Sequence, residues 1–171
     1  MGFNHIDLGT RNMEATRRFY EEILGFKLVR ADLVQIGERG SVQHYFFDCG
    51  DDQLLGFMSG EDVDGYPEFN TDINAGLGVS RGVYHFAFNA ESEAELLKIR
   101  SRLQSHGIEV SEVHDHEGWS KSIYFSDPNG LYLEYCYILR RFEPEDAIPR
   151  IRFSVDDFGK PETKRVPPSP D

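Results

Sequence analysis

An α+β fold made of two βαβββ modules is predicted by three observations. One helix-containing segment recurs, each copy is followed by two more strand candidates, and turn-forming residues join those candidates. The first copy, "HIDLGTRNMEATRRFYEEILGFKLV" from His5, opens with alternating residues. It then turns helical at Met13, Thr16, Phe19, Tyr20, Ile23 and Leu24, stops at Gly25 and resumes as a strand. The second, "HFAFNAESEAELLKIRSRLQSHGIEV" from His85, repeats the plan, with Leu96, Leu97, Ile99 and Leu103 on one helix side, a stop at Gly107 and a strand directly after it. His106 is read as a capping residue at that helix end, where a cation faces the negative end of the dipole.

Behind the first copy come "VQHYFFDC" and "QLLGFMS", joined by Gly50-Asp51-Asp52. Behind the second come "SKSIYFS" and "LYLEYC", joined by Asp127-Pro128-Asn129-Gly130. Proline presets such a turn, Asn tolerates its tight position and Gly accepts positive φ. Residues 1–60 and 82–138 are therefore the two modules, with their helices outside and their inner sheet faces around a cleft. Residues 61–81 read as a connecting loop of the kind that often serves as a lid, and 139–171 as a C-terminal extension whose Phe153, Val155 and Phe158 are available for packing on the body or on a partner.

The net charge of −12 speaks against nucleic acid or an anionic membrane as partner and leaves a small-molecule ligand as the default. Neither a signal-peptide pattern nor a long apolar run is found, so a cytoplasmic location is expected, with Cys49 and Cys136 reduced.

Strand alternation groups the candidate ligands. His5 and Asp7 share one face of the first strand, His85 and Ala87 one face of the fifth, and Tyr132, Glu134 and Cys136 one face of the last. In each case the other face is the apolar, helix-covered one. His5, His85 and Glu134 thus point inward, the pattern of two histidines and a carboxylate that leaves open positions on a divalent ion. Either histidine alone is more often an ordinary hydrogen-bonded residue, and Glu134 alone an acid with a cationic partner. It is their matched places in the two copies that favour a metal. The offset from His85 to Glu134, applied to His5, lands on Leu54, so three protein ligands are expected, not four. His44 on the third strand either lines the cleft or serves the structure. Trp119 either walls a substrate or anchors its loop.

The opening segment, the "YHFAF" strand and the "SIYFSDPNGLYLE" ending resemble the vicinal oxygen chelate superfamily, which includes glyoxalase I, extradiol dioxygenases, fosfomycin-resistance enzymes and bleomycin-binding proteins. The resemblance spans about residues 1 to 138. It implies paired modules forming a cupped half-barrel metal site, often in a homodimer, with His5, His85 and Glu134 as ligands. Fe(II) or Mn(II) is the preferred ion, with Zn or Ni as alternatives. The ending is most similar to the extradiol dioxygenases. That likeness implies Tyr124, facing inward with Ser122, as hydrogen-bond donor to a catechol-type substrate, and His116 as acid/base, with His114 as its rival. Non-oxidative lyase, isomerase or transferase chemistry, in which Ser120, Lys121 and Ser122 would meet a phosphonate, and sequestration without turnover are the alternatives.

Overall fold

A computed structural model describes residues 3–149, and Phe153, Val155 and Phe158 lie outside them. The first module comprises strand β1 (His5–Gly9), helix α1 (Met13–Arg18) continued by a π-helical turn (Phe19–Ile23), and strands β2 (Lys27–Gln35), β3 (Ser41–Asp48) and β4 (Leu54–Ser59). The second has β5 (Phe86–Asn89), α3 (Glu93–Ser105), β6 (His114–Asp115), β7 (Ser120–Ser126) and β8 (Tyr132–Ile138). The expected connecting loop holds a short helix, α2 (Ile73–Leu77), started by the Asp72 side chain, which accepts from the Ala75 N–H. The strand expected directly after Gly107 forms later, as the two-residue β6, because residues 108–113 run without ladder pairing.

The two sheets have matching orders, β1-β4-β3-β2 and β5-β8-β7-β6. In each, the first strand lies parallel to the last, and the remaining pairs are antiparallel. The glycine stop and His106 at the end of the second helix stand where the sequence reading put them, and the structure adds the N-caps. Asn12 and Ser92 cap α1 and α3 by accepting from Ala15 N and Glu95 N, and α3 ends with His106 as its C-cap before Gly107 at φ +76°.

Apolar residues from the helix-covered faces of both sheets and from both helices merge into one core. Tyr20 packs on Phe57 (ring centroids 4.8 Å apart), Phe19 reaches Phe125 across the modules at 6.4 Å, and Phe26 meets Phe88 at 5.0 Å. The fully buried ones, such as Phe19, Phe57 and Phe125, each contribute about 1.5–3 kcal/mol by leaving water. A buried polar latch joins the modules at the β7–β8 turn. Thr10 Oγ1 donates to Asn129 Oδ1 (2.7 Å), Asn129 Nδ2 donates to Thr16 Oγ1 (3.1 Å), and the Tyr20 hydroxyl donates to Asp127 (3.1 Å).

Sharing a core through one face each turns the other face of each sheet away from that core. Those are the faces that carry His5 and His85, and both histidines are exposed.

Candidate metal centre

On the first sheet, His5 opens β1, and its Nδ1 donates to Asn4 Oδ1 at 2.7 Å, since an amide oxygen has no proton to give. In the neutral imidazole Nε2 is then the nitrogen with the lone pair, and it lies 3.5 Å from Asp7 Oδ2. The other Asp7 oxygen, Oδ1, accepts from His44 Nε2 at 2.9 Å. His44 also packs against Phe46, with ring centroids 4.2 Å apart. His44 is thus placed as a partner of Asp7.

The second sheet repeats the device. His85 stands one residue before β5, and its Nδ1 donates to the Gly82 carbonyl at 2.8 Å. Its Nε2 faces Glu134 Oε2 at 3.2 Å, and Glu134 is buried, with 6% of its surface exposed. A bare imidazole nitrogen and a carboxylate oxygen repel at such a distance unless a proton or a cation lies between them. Histidines that ligate metals are held in this way, one ring nitrogen anchored to an oxygen and the other left free. His5, His85 and Glu134 therefore have the donor chemistry a divalent ion requires.

The three do not meet within one chain. Among the described residues no group of three His, Cys, Asp or Glu side chains is placed to hold a metal. What the fold brings together is two pairs, His5 with Asp7 and His85 with Glu134, on separate sheets.

Tyr124 is paired with Glu134 across β7 and β8. Burial first, and the neighbouring Glu134 charge second, push the phenol above its ordinary pKa, so it is held protonated. That neutral phenol lies 3.0 Å from His116 Nε2, within hydrogen-bond reach, and the His116 tautomer sets which of the two donates. His114 meets Tyr124 only edge-on, with ring centroids 5.7 Å apart. Tyr132 stacks on Tyr124 (5.5 Å, planes 9° apart) and carries the Arg81 guanidinium over its ring at 4.8 Å. Ser122 is fully buried, opposite Cys136 in register. Trp119 packs on Phe142 at 4.9 Å, and its carbonyl accepts from the Leu139 N–H at 2.8 Å, so it anchors the start of the C-terminal extension.

Asp7 is the site residue that sequence reasoning passed over, although its place on the His5 face was visible. Register supplies the missing signal. Asp7 pairs with Gly56 and Ala87 with Glu134, so the first-module counterpart of Glu134 is Gly56, and not Leu54. The offset argument failed because the first module is two residues longer between its first and last strands.

A cavity of about 540 Å³ lies elsewhere, under the 60–69 segment, between Arg11, Glu61 and Phe69. None of the predicted ligands lines it, and the Arg11–Glu68 ion pair ties that loop to the connection between β1 and α1.

The family model described as Glyoxalase/Bleomycin resistance protein/Dioxygenase superfamily matches residues 2–135. No curated protein matches the chain significantly. Among solved structures, SMU.1112c is similar at 25% identity and TM-score 0.61, over 80% of this chain and 98% of that one. The glyoxalase family protein from Enterococcus faecalis shares 25% identity at TM-score 0.56, over 79% and 96% of the two chains. The fosfomycin resistance protein FosX from Listeria monocytogenes shares 21% at TM-score 0.56, over 86% and 98%, a likeness of fold alone.

Proposed function

Because this chain belongs to the Glyoxalase/Bleomycin resistance protein/Dioxygenase superfamily, we propose that it is a divalent-metal enzyme whose substrate binds through two adjacent oxygens. The observation that carries this reading is the paired presentation of His5 and His85, each with Nδ1 anchored and Nε2 free beside a carboxylate. Fe(II) or Mn(II) suits two imidazoles and a carboxylate, with Zn or Ni as alternatives. When bound, the ion would polarise the substrate oxygens as a Lewis acid.

The site is completed by a second copy of the chain. Each chain offers two half-sites on faces turned from its core, and neither half has enough donors by itself. A two-fold dimer sets the His5 face of one copy against the His85–Glu134 face of the other, twice, which is the self-complementary pairing a homodimer needs.

In the assembled cleft the Tyr124 phenol donates a hydrogen bond to a substrate oxygen, and His116 behind it takes or returns the proton. The reaction suggested by the end of the sequence is extradiol oxygenation of a catechol-type compound. The second reading, non-oxidative chemistry at the same centre, is favoured by the carboxylate of Asp7 beside His5. Metal analysis of protein purified without added metal, with Glu134→Ala alongside, tests the shared premise. Stoichiometric metal lost in the variant supports it, and equal metal in both rejects it. Oxygen uptake with a catechol panel under Fe(II) separates the two reactions.

A further inference from the structure

The two modules place their acids by opposite means. In the second, the first strand carries the small Ala87, and the acid, Glu134, stands opposite it on the last strand. In the first, the acid is Asp7 on the first strand, and the residue opposite on the last strand is Gly56. These are the same two positions with acid and small residue exchanged. The exchange is physical as well as formal. A Cβ built at Gly56 would overlap Asp7 Oδ1, so the Asp7 carboxylate occupies the space in which a β4 side chain would begin. Only glycine leaves that space, and the acid lies across β4 to reach His44 on β3.

We propose, building on the metal reading above, that Asp7 is a fourth metal donor, delivered from β1 over Gly56, so that the centre holds two histidines and two carboxylates. His44 Nε2–H ties down Oδ1 and leaves Oδ2, the oxygen 3.5 Å from the free Nε2 of His5, to face the ion. The His5–Asp7 pair then repeats the His85–Glu134 pair, whose corresponding separation is 3.2 Å. On this reading the centre has four protein ligands, where the sequence count expects three. That number also narrows the reaction class. A fourth protein donor would leave a bound ion fewer positions for external ligands, which favours the second, non-oxidative reading (proton transfer, isomerisation or addition) over oxygenation.

The test is Mn(II) titration calorimetry on the full chain. Three variants are compared with wild type: Asp7→Asn, Glu134→Gln, and the double variant Asp7→Ala/Gly56→Glu, which copies the second module's arrangement. Asp7→Asn keeps an acceptor for His44 and removes the charge, and it is expected to weaken Mn(II) binding about tenfold or more. The double variant is expected to recover most of that loss, because it restores a carboxylate from the opposite strand. Asp7→Asn binding as tightly as wild type, while Glu134→Gln binds weakly, overturns the Asp7 assignment and leaves the metal reading standing. Failure of the double variant to recover, with its fold verified by circular dichroism, overturns Asp7 as a donor in favour of a positioning role. Wild-type protein that takes up no Mn(II) overturns both.

Discussion

The Asp7 carboxylate fills the space that a side chain at position 56 would need, so β4 can carry only glycine opposite it. Gly56→Ala should therefore displace the carboxylate and break its hydrogen bond to His44. Overpacking of this kind costs about 1–3 kcal/mol. Urea unfolding should show that loss, and Asp7→Gly in the same chain should relieve most of it, a coupling that a double-mutant cycle measures directly.

Asp127 is a buried carboxylate that accepts from Asn129 N (2.8 Å), Leu131 N (2.9 Å), Asn129 Nδ2 (2.8 Å) and the Tyr20 hydroxyl (3.1 Å). Asp127→Ala removes this acceptor from the Asn129 N–H, the Leu131 N–H and the Tyr20 hydroxyl at the latch between modules, while Asn129 Nδ2 keeps Thr16 Oγ1. Each orphaned donor costs about 1–3 kcal/mol, so thermal denaturation should show the variant severely destabilised.

Burial raises the Asp127 pKa above its ordinary value, more than its donors lower it. The folded chain then holds this proton more tightly than the unfolded chain. The group's contribution to stability is full below the unfolded pKa near ~4 and is lost as pH rises through the folded pKa. The stability advantage of wild type over Asp127→Asn should accordingly shrink as pH is raised from about 3 towards neutrality, as followed by urea unfolding. An advantage that grew with pH would contradict the sign.

Tyr124 owes part of its raised pKa to Glu134. Glu134→Gln removes that charge and should move the phenol's ionisation downward. Ultraviolet titration near the tyrosinate band reads it, with Tyr124→Phe identifying which tyrosine is seen. An unmoved titration would separate Tyr124 from the ion site electrostatically.

A centre shared between copies predicts complementation. His5→Ala and Glu134→Ala chains, each defective alone, should on mixing and re-association regain about a quarter of the wild-type metal capacity, since half the dimers are mixed and each has one intact site. A centre formed within each chain would regain nothing.

The helices and the duplicated plan were legible because their signals are local: apolar spacing, capping side chains, and glycines at helix ends and turns. The early breakdown of the second-module strand after Gly107 and the helix at Ile73–Leu77 were not, since ladder pairing and docking decided them. Alternation put His5 and Asp7 together on the face away from the helices, and both are exposed, yet it could not say how two such faces lie relative to each other.

By itself, then, the sequence determined the paired modules, the candidate ligands and the face each occupies, because period-two alternation fixes a side chain's face wherever one side is buried. Tertiary structure alone decided that the two sheets share a core through their apolar faces, which separates the half-sites. It alone matched Gly56 with Asp7, because cross-strand register depends on lengths between strands that a spacing count along one chain does not preserve.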